Sequence, residues 1–326
     1  MSSDKVLGID IGGTKVAVCL ADSTGKLLDS GRIPTGGVAP YEEILPQIIA
    51  LCKELLRRNS LTPGNVPACG ICAPGPLDMQ NGLILKSPNL PWDHVPILAD
   101  IQRALGIRCI LENDANGGIL AEYIFGTARG YTDAVYLTMS TGVGGGVISG
   151  GKLITGATGI GAELGHIVLD IHGPKCNCGL HGCLEAYTGG RGVANRLREA
   201  LKDQPEHPIF FLPEVNGKPE NLSFQVLREA AKAGIPLAVD MWDEVCMRLA
   251  QGIGIILSTF NPQIVILGTA AYYAGDFLLD PVKKYLPRFA WKEFMDPCKV
   301  CVTELGLRVG ELAGAAVAFY SLRQKA

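Results

Sequence analysis

The chain has 326 residues, of which 48% are hydrophobic and 19% are charged, and its formal net charge is −3. This charge balance gives no support for a nucleic-acid-binding protein or for one that binds an anionic membrane surface. No stretch approaches the roughly 18 apolar residues of a membrane-spanning helix, and eleven scattered cysteines favour a reducing compartment over a disulfide framework. We therefore expect a cytoplasmic protein that is long enough for two domains.

The first 125 residues have the pattern of an α/β domain. Short apolar runs, a glycine turn at Gly12-Gly13-Thr14 and an apolar stripe at helical spacing mark its elements. In chain order we expect strands over 6–11, 15–20 and 26–33, a helix over 41–58, a strand over 68–73, a helix over 95–105, a strand over 107–111 and a helix over 114–125.

The same pattern restarts near residue 134, with a strand, the glycine turn 140–146 and a short return strand at 147–148. Two strand–turn–strand units are expected of two related α/β domains that face one cleft. Residues 202–221 are rich in Pro, Glu and Asn and predict a surface excursion, whose apolar residues 209–212 are either an interface patch or, as we favour, a docked loop. The remaining elements expected are helices near 223–234 and 238–258, a strand at 264–267, a helix at 277–287, a strand at 299–303 and a helix at 308–323.

The segment from Gly161 to Glu185 has the composition of a metal site. Cys176, Cys178 and Cys183 with His166 make a complete tetrahedral ligand set for structural zinc. His172 and His181 lie in the same segment and are alternative ligands. The other interpretation is that the three cysteines are small buried apolar side chains.

The first glycine turn has the residues of a phosphate and metal cradle. Asp10 at the end of a strand could hold Mg²⁺ through water, while Gly12, Gly13 and Thr14 would face phosphate oxygens. A plain hairpin turn is the alternative. The second glycine turn, which includes Thr141 and Gly142, is expected to face phosphate in the same way.

Asp114 stands where a predicted strand leads into a helix, so that the helix dipole would keep its carboxylate ionised. An ionised Asp at this place can accept a proton from a hydroxyl group that attacks phosphorus. The alternative is that Asn113 or Asp114 only caps the helix.

Together these motifs resemble the ROK family of sugar kinases, which have the actin-like ATPase fold. The resemblance covers nearly the whole chain, and its last two segments are the most specific. The segments are DIGGTK at 10–15, APGP at 73–76, SPNLPW at 87–92, ENDAN at 112–116, STGVGGG at 140–146, GAELGH at 161–166 and CNCGLHGCLE at 176–185.

The resemblance implies a role for each motif. Asp114 would be the catalytic base, and His166 would bind zinc with one ring nitrogen and a sugar hydroxyl with the other, which favours it over its neighbouring histidines. The sugar would be held by Gly75, Asn89, Asn113, Asp114, Glu163, His166 and Glu185. The nucleotide side, with Mg²⁺, would comprise Asp10, Gly12, Gly13, Thr14, Lys15, Thr141, Gly142 and Gly268. One departure is Thr269, because the family usually has a second glycine there, and its Cβ is expected to crowd the adenosine.

The resemblance also implies an α/β, duplicated ribonuclease-H-like fold with two domains flanking a cleft. We expect a smaller domain over 1–116 with the C-terminal helix at about 309–326, and a larger domain over 117–308 that carries the zinc loop 161–185. The implied oligomer is a homodimer or homotetramer, with no nucleic-acid or membrane partner.

The implied function is phosphoryl transfer from ATP to the 6-hydroxyl of a hexose, with glucose as the leading expectation. A kinase of N-acetylmannosamine, N-acetylglucosamine or fructose is the first alternative. A sugar-responsive repressor without enzymatic activity is the second, and we disfavour it because the first strand begins at Val6, which leaves no room for a helix-turn-helix before it.

Overall fold

The computed structural model describes residues 4–86 and 90–324. The strands are β1 Lys5–Ile11, β2 Lys15–Asp22, β3 Leu27–Pro34, β4 Cys69–Ala73, β5 Leu77–Asp78, β6 Leu83–Ile84, β7 Cys109–Asn113, β8 Ala134–Met139, β9 Val143–Ser149, β10 Lys152–Leu153, β11 Ile264–Thr269 and β12 Lys299–Val302. The helices are α1 Tyr41–Arg58, α2 Ile97–Leu105, α3 Asp114–Phe125, α4 Leu184–Thr188, α5 Gly190–Leu201, α6 Phe224–Lys232, α7 Pro236–Phe260, α8 Ala270–Ala274, α9 Asp276–Tyr285, α10 Lys292–Met295 and α11 Arg308–Arg323.

Two five-stranded sheets have the same topology. The first has the order β3-β2-β1-β4-β7 and the second the order β10-β9-β8-β11-β12. In each sheet three antiparallel strands are followed by two parallel strands, β4 and β7 in one and β11 and β12 in the other. The predicted duplication is therefore present. Because carboxyl ends of parallel strands lie at one sheet edge, each sheet gathers its strand ends at a single edge.

Helix α11 packs closely against the first sheet because Gly8, Gly70 and Gly314 leave no side chains between the two elements. A Cβ atom at Gly70 would overlap the carbonyl oxygen of Gly314, and one at Gly314 would lie 2.5 Å from the amide nitrogen of Ile9. Helices α3 and α11 share a buried apolar cluster with residues of both sheets, including Tyr136 and Ile266 of the second. These two helices thus connect the two halves of the molecule.

Most predicted elements are present, and the differences are concentrated at glycines. Strand β9 begins at Val143 rather than at residue 147, so three glycines belong to the strand and the turn contracts to 140–142. The glycines are needed there because a Cβ at Gly145 would lie 2.6 Å from Leu164, and one at Gly146 would lie 2.6 Å from Ile119. Helix α5 was not expected, because its opening Gly-Arg-Gly carries no capping signal.

The excursion at 202–221 is a loop with two short 3₁₀ turns that docks on the larger core. Ile209 and Phe210 are buried in that core, whereas Phe211 is 74% exposed. The docked-loop expectation is correct for these residues. Among the described residues, no helix is both long and apolar enough to cross a membrane.

Candidate active site

A cavity of about 880 Å³ lies between the two halves, lined by strand ends and turns of both sheets. The predicted site residues that line it are Gly12, Gly13, Thr14, Gly75, Asn113, Asp114, Thr141, Gly142, Glu163, His166, Cys178 and Glu185. The structure therefore brings together residues from six of the seven motifs. Asp10, Lys15, Gly268, Cys176 and Cys183 lie outside this lining, and Asn89 is not among the described residues.

Asp114 is the first residue of α3, and Asn113 is the residue that caps this helix. The Oδ1 atom of Asn113 accepts hydrogen bonds from the amides of Ala115 at 2.9 Å and Asn116 at 3.5 Å. The capping alternative thus applies to Asn113. Asp114 is exposed in the cavity, and the protein around it raises its pKa to about 6: desolvation is the main cause, the bond from the Ala115 amide opposes the rise, and the negative charge of Glu163 contributes to it.

Asp10 is a second carboxylate, partly exposed, whose charge interacts with that of Asp114. Its pKa is raised to about 7, mainly by desolvation and further by the charge of Asp114, while the ammonium group of Lys15 opposes the rise. Two interacting acids disfavour simultaneous ionisation unless a cation is near. Asp10 is therefore the residue of the first turn with the chemistry to hold a hard divalent cation.

The first glycine turn is held in place by residues of the following loop. The amide of Gly12 donates to the carbonyl of Lys15 at 2.9 Å, which closes the hairpin. The buried Thr35 donates its hydroxyl to the carbonyl of Gly13 at 2.7 Å and its amide to the carbonyl of Thr14 at 2.9 Å. Sequence reasoning missed Thr35, since it lies 21 residues beyond the turn and outside any motif.

The second glycine turn is held by the start of α5. The amide of Gly190 donates to the carbonyl of Ser140 at 2.9 Å, and that of Arg191 donates to the carbonyl of Thr141 at 2.9 Å. Within the turn, Ser140 donates its amide to the carbonyl of Gly142 at 2.9 Å. Arg191 is the single Lys or Arg among the described residues that line the cavity, and no sequence signal pointed to it.

Four side chains converge where the sequence predicts a metal site. The ligand atoms of His166, Cys176, Cys178 and Cys183 all lie within 4.8 Å of one another. The sulfurs of Cys178 and Cys183 are 3.6 Å apart, and the Cys176 sulfur is 3.7 Å from Nδ1 of His166. Zinc–sulfur bonds of about 2.3 Å in a tetrahedron place sulfur atoms about 3.8 Å apart. The geometry therefore fits zinc.

The loop geometry supports His166 over the other two histidines. Its Nδ1 faces Cys176, and the residue lines the cavity. His181 instead directs its Nδ1 to the carbonyl of Gly173 at 3.1 Å, and neither it nor His172 belongs to the four-residue cluster. At Gly182, where φ is +69°, a Cβ atom would overlap the carbonyl oxygen of Asp170, so the loop requires glycine there.

Glu185 connects the metal cluster to the second glycine turn. Its Oε1 lies 3.6 Å from the sulfur of Cys176, and its Oε2 accepts a hydrogen bond from the amide of Val143 at 2.9 Å. A Cβ atom at Gly142 would overlap that Oε2. Burial raises the pKa of the nearby Glu163, an effect that His166 opposes and the charge of Glu185 increases.

The end of β11 has an unusual backbone. Thr269 has φ +51° and ψ −109°, a backbone conformation that residues other than glycine rarely adopt. Its Oγ1 is 3.4 Å from that of Thr138, which lines the cavity. At the preceding Gly268, a Cβ atom would overlap the hydroxyl of Tyr136.

Comparison with known proteins identifies the family. The family model described as the ROK family matches residues 6–320. This chain belongs to the ROK family. It is 35% identical to a glucokinase of Thermotoga maritima over 96% of each chain. The predicted family is confirmed.

Solved structures of the family have the same fold. A ROK hexokinase from Thermus thermophilus superposes with a TM-score of 0.84 at 30% identity, covering 98% of this chain and 99% of that one. A ROK glucokinase from Streptomyces griseus, in complex with glucose and AMPPNP, superposes with a TM-score of 0.80 at 32% identity, covering 97% and 99%. The predicted actin-like ATPase fold is confirmed.

The family also contains regulators. A xylose repressor of Caldicellulosiruptor bescii is 26% identical over 86% of this chain and 69% of its own length. Family membership therefore leaves the activity to be argued from the site.

Proposed function

We propose that this protein is an ATP-dependent kinase that phosphorylates the 6-hydroxyl of glucose. The observation that carries the proposal is that Asp114, the sugar-side acids Glu163 and Glu185, and both glycine turns line one cavity. Full-length similarity to proteins named glucokinase, and to a structure with glucose and AMPPNP, supports it.

Asp114 is proposed as the general base. With a pKa of about 6 it is ionised at neutral pH, yet basic enough to accept a proton. As the sugar oxygen forms its bond to the γ-phosphorus, the bond from phosphorus to the β–γ bridging oxygen breaks and ADP leaves. The hydroxyl proton passes to Asp114.

The sugar is proposed to lie on the side of the metal loop. Glu163 and Glu185 offer carboxylate acceptors to its hydroxyl groups, and His166 offers the ring nitrogen that does not face Cys176. The full set proposed for the sugar is Gly75, Asn89, Asn113, Asp114, Glu163, His166 and Glu185. Structural zinc on His166, Cys176, Cys178 and Cys183 would stiffen this loop and take no part in the reaction.

The donor phosphates are proposed to lie between the two glycine turns. Backbone amides at glycine turns form concave anion sites, which suits Gly12, Gly13, Thr14, Thr141 and Gly142. Mg²⁺ bound through Asp10 would neutralise phosphate charge. Lys15 and Gly268 are assigned to the same nucleotide side.

The proposal extends to the domain bounds, the cellular location and the oligomeric state. The smaller domain is proposed to comprise 1–116 with the C-terminal helix at about 309–326, and the larger domain 117–308. All eleven cysteines, each within the described residues, are free, which supports a cytoplasmic location. A homodimer or homotetramer is proposed by family analogy alone.

A coupled assay of ADP release over a panel of hexoses tests the proposal. We expect a higher kcat/KM for glucose than for fructose, N-acetylmannosamine or N-acetylglucosamine. The D114N variant should keep sugar binding and lose at least about 100-fold in kcat. A preference for an N-acetylhexosamine would replace the glucose assignment, and promoter binding without turnover of any sugar would favour a regulator.

A further inference from the structure

Tyr187 lies two residues after Glu185 and is enclosed by two guanidinium groups. The Cζ of Arg248 is 4.5 Å from its ring centroid, and that of Arg196 is 5.2 Å away. The side chains of Arg248 and Arg196 are only 18% and 16% exposed. Such desolvated cation–π contacts are the strong ones, so both arginines hold the ring in place.

Arg248 also reaches the metal loop at Asp170 and, through Gln251, at Leu169, between His166 and the three cysteine ligands. Its Nη2 is 3.2 Å from Oδ2 of Asp170, and the Tyr187 hydroxyl donates to the same oxygen at 3.4 Å. Its Nη1 donates to Gln251 at 3.1 Å, and the Gln251 amide in turn donates to the carbonyl of Leu169 at 3.2 Å. Two residues one turn apart on α7 therefore hold two consecutive residues of the loop.

The held residues contact the metal ligands' own segment. The amide of Leu169 donates to the carbonyl of Gly182 at 2.8 Å, next to the ligand Cys183. Gly182 packs so closely on Asp170 that a Cβ would overlap it, and a Cβ at Gly173 would overlap the hydroxyl of Tyr187. A shift of Asp170 or Tyr187 would therefore be passed directly to the ligand loop.

Helix α7 is a rigid support for this arrangement. Its inner face carries Val245, Leu249 and Ile253, which are completely buried in the larger core. On the outer side, Glu244 forms an ion pair with Arg196 and lies 3.7 Å from Nε of Arg248. Arg248 thus lies on this helix and Arg196 is ion-paired to it, whereas the metal ligands lie in a short 3₁₀ turn, in a loop or just before the short α4.

We propose that Arg248 is a positioning residue that sets the zinc affinity of the four-residue cluster and the placement of Glu185. This inference rests on the proposed function, since it assumes the metal loop and the sugar subsite. A loop that is already held in place loses less conformational freedom when the metal binds. Loss of the Arg248 anchor should therefore weaken metal binding although no ligand is changed. Glu185 lies between Cys183 and Tyr187 in the chain, so its position depends on the same anchor.

The test compares R248M with R248K and with R198M as the matched control. Arg198 anchors a different segment through the carbonyls of Pro219 at 3.0 Å and Glu220 at 3.2 Å. Zinc affinity is measured by equilibrium competition of Zn²⁺ against a chelating dye, together with KM for glucose and for ATP. Removing a group that hydrogen-bonds a metal ligand costs about 10- to 100-fold in affinity. Because Arg248 acts through Asp170 rather than on a ligand, we expect R248M to lose about 10-fold in zinc affinity.

In R248M the KM for glucose should rise as zinc affinity falls, while the KM for ATP stays within about twofold. R248K should recover part of both, because it keeps the charge opposite Asp170 but loses the planar contact with Tyr187. R198M should keep zinc affinity within about twofold even where its melting temperature falls. If R248M does not fold, D170N removes the same ion pair and should lower zinc affinity in the same direction.

Unchanged zinc affinity in R248M, or an equal loss in R198M, would overturn the role of Arg248. Where D170N is the variant measured, unchanged affinity has the same meaning. Absence of zinc from the purified wild-type protein would overturn both this inference and the metal proposal. Absence of sugar turnover by a wild-type protein that does hold zinc would instead contradict the proposed kinase and leave the Arg248 measurement valid.

Discussion

Asp114 shows how one residue of the cavity is suited to its proposed reaction. Its side chain is exposed in the cavity while desolvation by the surrounding protein raises its pKa, and Asn113 is the residue that accepts from two amides of the first turn of α3, whereas Asp114 accepts only from that of Ala115. In the sequence these two neighbours were equally good caps. Only the directions of their side chains in the folded chain separate them, and these depend on the turn between β7 and α3.

The pKa of Asp114 predicts the pH dependence of catalysis. A base works only when ionised, so kcat/KM for the sugar should be at its plateau above pH 7 and fall about tenfold per unit below a pH of about 6. A pH–rate profile at saturating Mg-ATP measures this. The residual activity of D114N should lack this acidic limb, and a limb of equal midpoint in D114N would assign it to another group.

Gly142 is predicted to be irreplaceable because of its contact with Glu185. In G142A the new Cβ would overlap Oε2 of Glu185 and push the carboxylate from its bond with Val143. We expect the KM for glucose to rise at least about tenfold. G64A is the matched control, since the nearest atom to its Cβ is 3.9 Å away. Equal kinetics of G142A and G64A would contradict the role of this contact.

At the scale of elements, the junction of β11 and α8 is where the predicted departure at Thr269 lies. The sequence predicted that the Cβ of Thr269 would crowd the adenosine. The structure adds a backbone cause, because Thr269 has the positive φ that a glycine would adopt without strain.

The T269G variant should relieve that strain. We expect the free energy of unfolding to rise by about 1 kcal/mol and the KM for ATP to fall, while the KM for glucose stays unchanged. S60G is the control, because Ser60 also has a positive φ of 54° but is exposed in the connection after α1. Chemical denaturation and steady-state kinetics check both. A higher KM for ATP in T269G would show that the threonine side chain assists the donor.

At the scale of the whole molecule, the acids of the proposed active site lower the free energy of unfolding. Asp10 is partly exposed and Asp114 is exposed in the cavity, yet desolvation by the surrounding protein raises the pKa of both. Native proteins have only about 5–15 kcal/mol of stability, so an ionised Asp10 with no cation bound is a cost that unfolding measurements can detect. The molecule tolerates this cost because two separate cores, joined by α3 and α11, stabilise the halves on either side.

This cost predicts how Asp10 affects unfolding at different pH values. An acid whose pKa rises on folding destabilises the fold as pH increases from its unfolded value near 4 to about 7. D10N should therefore be more stable than the wild type at pH 8, by on the order of 2 kcal/mol without nucleotide, and equal to it near pH 4. Urea unfolding at both pH values measures the difference. Greater stability of the wild type at pH 8 would indicate that the Asp10 carboxylate is compensated.

By itself, the sequence determined the features that depend on neighbours in the chain. The three cysteine ligands lie close together in the chain with glycines that permit the bends, so a metal cluster followed from spacing, and the family resemblance selected His166 as its fourth ligand. The extents of α1 and α11 followed from their apolar periodicity. The resemblance of the motifs to those of the ROK family then predicted the actin-like ATPase fold.

Only the tertiary structure decided how distant segments support the site. The bonds from Thr35 and from α5 to the glycine turns join parts of the chain that share no periodicity or motif. Arg248 meets Asp170 from 78 residues away. Such contacts depend on the packing of whole helices against the sheets, which local propensity does not encode, and they determine where the predicted residues point.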